Sequence, residues 1–148
     1  MTSDLNDLYQ EVILDHNRRP RNFGVLGAPS HSAEGYNPLC GDRLTLYLKV
    51  NGDTIEEVSF QGAGCAISKA SASLMTDVLK GRSLAEVNAL FERFHRMVTT
   101  PPEESVEDMG KLSVLAGVRA FPVRVKCASL AWHTLKAAMN NEHRISTE

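Results

Sequence analysis

The apolar positions of this chain change their period twice. Between residues 5 and 18 they fall at Leu5, Leu8, Tyr9, Val12 and Ile13, the spacing of one helix face. Ser3 stands where it can cap that helix, and Pro20 stops it. Residues 19–31, rich in Arg, Pro, Gly and Asn, predict an extended loop. The period then drops to two: Leu44, Leu46, Leu48 and Val50 alternate with polar neighbours. Asn51-Gly52-Asp53 separates this run from the strand-like residues 55–60, and Asn-Gly between two such runs predicts a hairpin. A further strand is expected near residues 33–36.

After Gly64 the helical period returns. Residues 66–79 are rich in Ala, Ser, Leu and Met and end before Gly81, predicting a helix packed through small side chains. Ser83-Leu84-Ala85-Glu86 forms a capping box, followed by a face of Leu84, Val87, Leu90, Phe91 and Phe94. Residues 99–108 predict an exposed loop and 109–118 a short helix. Phe121-Pro122 breaks the chain, and 123–140 form a last helix carrying Cys127, Leu130, Ala131, Leu135 and Ala138. Residues 141–148 are expected to fray. A helix, an antiparallel hairpin or meander, and then helices predict an α+β fold, a small antiparallel three-stranded sheet with helices on one face. At 148 residues the chain is expected to be a single domain, 1–148.

Charge narrows the function classes. Formal net charge is −2, with acids and bases mixed, so no basic stripe for nucleic acid is expected. Residues 1–6 are polar and acidic, unlike a signal peptide. No apolar run approaches the roughly 20 residues of a membrane span. Three cysteines are an odd number for a secreted disulfide scaffold, and the expected setting is reducing and cytoplasmic.

Those cysteines carry the candidate chemistry. Cys40 and Asp42 flank Gly41, Cys65 follows Gly62-Ala63-Gly64, and Cys127 lies in the first turns of the last helix. Three thiolates and one carboxylate make four donors, the number a tetrahedral zinc takes. Helix N-termini favour thiolate over thiol, so Cys65 and Cys127 are both expected to be acidified. The four residues come from widely separated segments, not from paired C-x-x-C knuckles. Spacing alone therefore leaves open a shared metal, persulfide-carrying thiols, or three unrelated buried cysteines.

The phrases Asn37-Pro38-Leu39-Cys40-Gly41-Asp42, Gly62-Ala63-Gly64-Cys65-Ala66-Ile67-Ser68 and Arg124-Val125-Lys126-Cys127-Ala128 resemble the IscU/SufU family of iron–sulfur cluster biogenesis proteins. The opening Leu8-Tyr9-Gln10-Glu11-Val12-Ile13-Leu14-Asp15-His16 and the Arg-Pro-Arg-Asn segment after it are similar too. The match runs over nearly the whole chain. The scaffold branch of that family has a histidine before its last cysteine, where this chain has Lys126. It also has a shorter gap between its second and third cysteines, which here contains the region 93–110 with Pro101 and Pro102. Both features resemble the SufU-type branch.

That resemblance implies an IscU-like fold and Cys40, Asp42, Cys65 and Cys127 as zinc ligands. It implies Cys40 as persulfide acceptor from a cysteine desulfurase, released when a histidine of that partner replaces it on the metal. Arg124 matches a position that engages the desulfurase, and a downstream assembly scaffold would receive the sulfur. The alternatives are an iron–sulfur cluster on the same cysteines and a purely structural zinc domain.

Other polar residues carry plainer expectations. His16, His31, His95, His133 and His143 show no metal-helix spacing and are expected at the surface or partly packed. Trp132 is expected in the core, the Arg18, Arg19 and Arg21 patch in solvent, and no Ser-His-Asp arrangement is readable.

Overall fold

The computed structural model describes the backbone of residues 2–146 and the side chains of residues 10–146. Its elements are α1 (Thr2–Arg18), β1 (His31–Asn37), β2 (Asp42–Asn51), β3 (Thr54–Ala63), α2 (Ala66–Leu79), α3 (Leu84–Thr99), a 3-10 segment (Gly110–Ala120), α4 (Pro122–Met139) and β4 (Arg144–Ser146). Helix α1 begins at Thr2, ahead of Ser3, and the expected contributions of Leu5, Leu8 and Tyr9 lie outside the described side chains.

The fold is α+β, but the sheet has four strands, in the order β3-β2-β1-β4. Three are antiparallel as expected, with Asn51↔Thr54 closing the hairpin. The fourth corrects the frayed tail and the all-antiparallel sheet: Arg144–Ser146 lies parallel to β1, opposite Glu34, Gly35 and Tyr36. Asn141 takes a left-handed φ of 59°, and the Glu142 N–H reaches the Ala137 carbonyl at 2.8 Å. That turn ends α4 and sends the chain back to the sheet edge. A three-residue strand carries too little alternation to be read from sequence. The segment expected as a short helix is 3-10 in form.

The buried face of β2, with Leu44, Leu46 and Leu48, meets Val58 and Phe60 of β3 beneath α2 and α4. Trp132 sits at the centre, 1% exposed, stacked on Phe94 with ring centroids 4.4 Å apart. The capping box of α3 is formed in both directions. The region 93–110 supplies the second half of α3 and the loop after it. Arg119 holds that loop by donating to the carbonyls of Pro102 and Glu104 at 3.3 and 2.9 Å.

His16 corrects the surface expectation. It is 6% exposed, and its Nδ1 lies 2.7 Å from Ser73 Oγ, which also accepts the Arg21 backbone N–H at 2.8 Å. Ser73 Oγ thereby links the His16 ring to the backbone just after α1. Burial, reinforced by the Arg21 charge, holds the His16 pKa below its usual value. An unfolded histidine protonates near pH 6.5, the folded one only at lower pH, so the unfolded state binds more protons in that window. Stability is complete above about pH 6.5 and is lost as pH falls through the folded value. His16→Asn, which keeps an acceptor but cannot titrate there, is expected to reduce the drop in Tm between pH 7 and pH 5 seen for the wild type in thermal melts.

Candidate metal centre

Three chain segments meet at one end of the sheet. The turn from β1 to β2 carries Cys40, and Asp42 opens β2 just after it. Gly41 between them has φ +71°, a left-handed conformation that glycine adopts without strain. The turn is closed by the Cys40 N–H to the Asn37 carbonyl at 3.3 Å. Cys65 is the N-cap of α2, and its Sγ accepts the Ser68 N–H at 3.4 Å. Cys127 lies in the second turn of α4, 2% exposed, facing the other two.

The structure brings three of the four predicted residues into one group and sets Cys65 beside it, against Asp42. Suitable ligand atoms of Cys40, Asp42 and Cys127 lie within 4.8 Å of one another. Cys127 Sγ stands 3.2 Å from Cys40 Sγ, a thiol contact far longer than the roughly 2.0 Å of a disulfide. Cys65 Sγ closes the fourth side at 3.8 Å from Asp42 Oδ2, while its backbone N–H donates to Asp42 Oδ1 at 2.8 Å. Tetrahedral ligands on zinc with bonds near 2.3 Å stand about 3.8 Å apart. Cys40, Asp42 and Cys127 fit three positions of such an ion, and Cys65 would complete the set by turning its side chain toward them.

Exposure separates the four. Asp42 is fully buried and Cys127 nearly so, whereas Cys40 and Cys65 are half-buried. Leu39, beside Cys40, is 64% exposed, and Cys40 itself is partly reachable from solvent, as is Cys65. Burial, followed by the neighbouring thiols of Cys40 and Cys65 and the Asp42 charge, pushes the Cys127 thiol well above its ordinary pKa. This corrects the expectation that the helix start acidifies Cys127. The residue sits beyond the first turn, where the field of the free N–H groups fades, and desolvation dominates. Packing Cys127 in a buried corner beside other sulfurs and a carboxylate disfavours its thiolate, and a divalent cation there would reverse that preference.

Gly64 makes the corner possible. A Cβ at this position would overlap Asp42 Oδ1 and come within 2.9 Å of its Cγ and 3.0 Å of its Cα. Gly64→Ala is expected to displace Asp42 and weaken metal binding by about 10- to 100-fold, the usual range for disturbing the support of a ligand. Competition with a chromophoric chelator measures this, with circular dichroism showing the fold retained.

Two predicted residues stand outside the cluster. The Arg124 guanidinium lies over the Phe121 ring at 4.5 Å and lines a cavity of about 510 Å³ with Ile13, Leu14, Ile67 and Phe121. Lys126 lines a separate cavity of about 280 Å³ with His95, Ser129 and His133. Sequence reasoning missed Asn37. It is fully buried and donates its side-chain amide to Asp42 Oδ2 at 3.4 Å and Cys127 Sγ at 3.7 Å. An Asn before Pro reads as a turn former, and only its 0% exposure distinguishes it.

Comparison with known proteins bears on the fold and the site. A zinc-dependent sulfurtransferase SufU of Bacillus subtilis is 40% identical over 140 residues, 95% of each chain. An iron–sulfur cluster assembly scaffold protein IscU of Streptococcus pyogenes is 42% identical over 137 residues, covering 93% of this chain and 86% of the other. The crystal structure of a protein from Fervidobacterium islandicum, described as a candidate iron–sulfur cluster assembly scaffold for the SUF system, superposes with a TM-score of 0.80. It is 32% identical and covers 87% of this chain and 94% of that one. Residues 8–146, from α1 through the last strand and including all three cysteines, match the NifU-like N-terminal domain, and the chain belongs to that family.

Proposed function

We propose that this chain is a zinc-dependent sulfur acceptor that works with a cysteine desulfurase in iron–sulfur cluster assembly. In this reading residues 1–148 act as one domain in the cytoplasm, without nucleic-acid or membrane partners. Among the described residues no helix is long and apolar enough to cross a membrane. The observation that carries the reading is the convergence of Cys40, Asp42 and Cys127 on one corner, with Cys65 beside Asp42 and Cys40 half-buried. Its similarity to a relative named for zinc-dependent sulfur transfer supports it further.

Bound zinc supplies affinity for the thiolates and no redox chemistry of its own. Cys127 and Asp42 anchor the buried side, and Cys65 is fixed by the start of α2. Cys40 is the reactive residue. Its thiolate attacks the terminal sulfur of the desulfurase persulfide, forming a new S–S bond at Cys40. The original S–S bond breaks, and the desulfurase cysteine leaves as a thiolate. The transfer consumes no oxidant or reductant. Cys40 then carries the sulfur to a downstream assembly scaffold. Arg124, exposed on the first turn of α4 beside the apolar cavity, is a contact for the desulfurase.

A second reading is an assembly scaffold that holds a cluster on the same thiolates, favoured by the 42% identical relative bearing that name. Lys126 argues against it: a protonated amine is no ligand, and it lines a separate cavity. Metal analysis of protein purified without oxygen tests the two. One zinc per chain and a colourless solution support sulfur transfer, and a brown protein carrying iron and sulfide supports the scaffold.

A further inference from the structure

The four donors are not supported equally. Cys65 Sγ accepts the Ser68 N–H, and Asp42 Oδ1 accepts the Cys65 N–H. Cys127 Sγ and Asp42 Oδ2 share the side-chain amide of Asn37. Among the described residues, Cys40 Sγ receives only the Cys127 thiol. That proton departs once both sulfurs become thiolates, which metal binding requires. Three donors then keep an N–H partner and Cys40 keeps none.

We propose that Asn37 is a positioning residue: by donating its amide to Cys127 Sγ and Asp42 Oδ2 it keeps these two on the metal and leaves Cys40 as the ligand that exchanges and reacts. The inference rests on the zinc reading above. Asn37 is wholly buried, and its Oδ1 has no hydrogen-bond partner among the described residues. The reverse orientation of the amide would set that oxygen against a carboxylate and a sulfur. The side chain therefore leaves its own acceptor unsatisfied in order to point both N–H groups into the site, an arrangement that protein interiors avoid unless something else requires it.

The chemistry follows from the donor count. A hydrogen bond to an anionic sulfur is charge-assisted and stabilises the anion. A thiolate that receives one is less basic and less nucleophilic than one that does not. Cys127 is thereby quieted and Cys40 is not. Leaving-ligand choice is thus written into the last residue of β1, three residues before Cys40.

The test uses zinc-loaded full chain treated with limiting iodoacetamide, with the modified cysteines mapped by mass spectrometry. The wild type is expected to react first at Cys40. Asn37→Leu, of similar volume but without donors, is expected to speed modification of Cys127 by about 10-fold or more, the lower end of the effect of losing a ligand's hydrogen-bond partner, and so to erode the preference for Cys40. Asn37→Gln, which retains the amide, is expected to restore part of that preference. A second readout needs no variant. In the wild type substituted with a spin-active cadmium isotope, a side-chain amide proton of Asn37 should show scalar coupling to the metal through Cys127 sulfur. Absence of that coupling, or an unchanged order of modification in folded Asn37→Leu, overturns the role of Asn37 while leaving the zinc site standing. If Asn37→Leu does not fold, the coupling alone decides. A chain that takes up neither zinc nor cadmium overturns both readings.

Discussion

Cys40→Ala is expected to abolish stimulation of a matching cysteine desulfurase and to leave the fold intact. Cys40 is half-buried on a turn and belongs to no core layer, so its side chain contributes little packing. Its chemistry has no substitute. Cys127 is buried beneath it, and Cys65 is held as the cap of α2. Neither can take its place without dismantling the corner. Loss of a nucleophile acts on the scale of a hundredfold or more, so turnover should fall to that of the desulfurase alone. Cys40→Ser should fail equally, because a hydroxyl is not ionised at neutral pH and does not accept sulfur. Alanine released from cysteine by the desulfurase, with a reductant present, measures both variants. A Cys40→Ser chain that still stimulates turnover would remove Cys40 from the reaction.

Stripping the metal is the second large effect. The centre joins the β1–β2 turn, the start of α2 and the body of α4, three segments distant in sequence. An ion bound only by the folded chain stabilises it by about 4 kcal/mol when its free concentration is roughly a thousand times Kd. For a domain of this size that corresponds to about 8–16 °C in Tm. Chelation should therefore lower Tm by on the order of 10 °C, and stoichiometric zinc should restore it. The core cluster of Trp132, Phe94, Leu46 and Leu48 includes none of the four candidate ligands, so the stripped chain is expected to stay folded at room temperature. Scanning calorimetry with and without chelator measures this. An unchanged Tm on removal of bound zinc would show that the three segments are held without it.

Much of this architecture was legible in the sequence because local signals agreed with the global fold. The alternation of Leu44, Leu46 and Leu48 set the buried face of β2, Asn51-Gly52 set the hairpin, and Ser83 with Glu86 set the start of α3. The four candidate ligands were legible through their motifs, and their convergence in space follows from β1, β2, α2 and α4 sharing one sheet end. What escaped depends on contacts distant in sequence. β4 exists because Asn141 turns the chain onto the edge of β1, and three residues show no period. His16 is buried because Ser73 of α2 stands opposite it. The acidity expected of Cys127 from its place near a helix start is overruled by burial among sulfurs. Asn37 reads as a turn residue until its amide is seen between Cys127 and Asp42.

The most direct measurement is where sulfur lands. Zinc-loaded chain is incubated anaerobically with a cysteine desulfurase and cysteine, alkylated, digested and mapped by mass spectrometry. The account predicts that the peptide bearing Cys40 gains one sulfur atom, while the peptides bearing Cys65 and Cys127 remain unmodified by sulfur. Sulfur on Cys65 or Cys127 with Cys40 bare, or on none of the three while the desulfurase turns over faster, would contradict it.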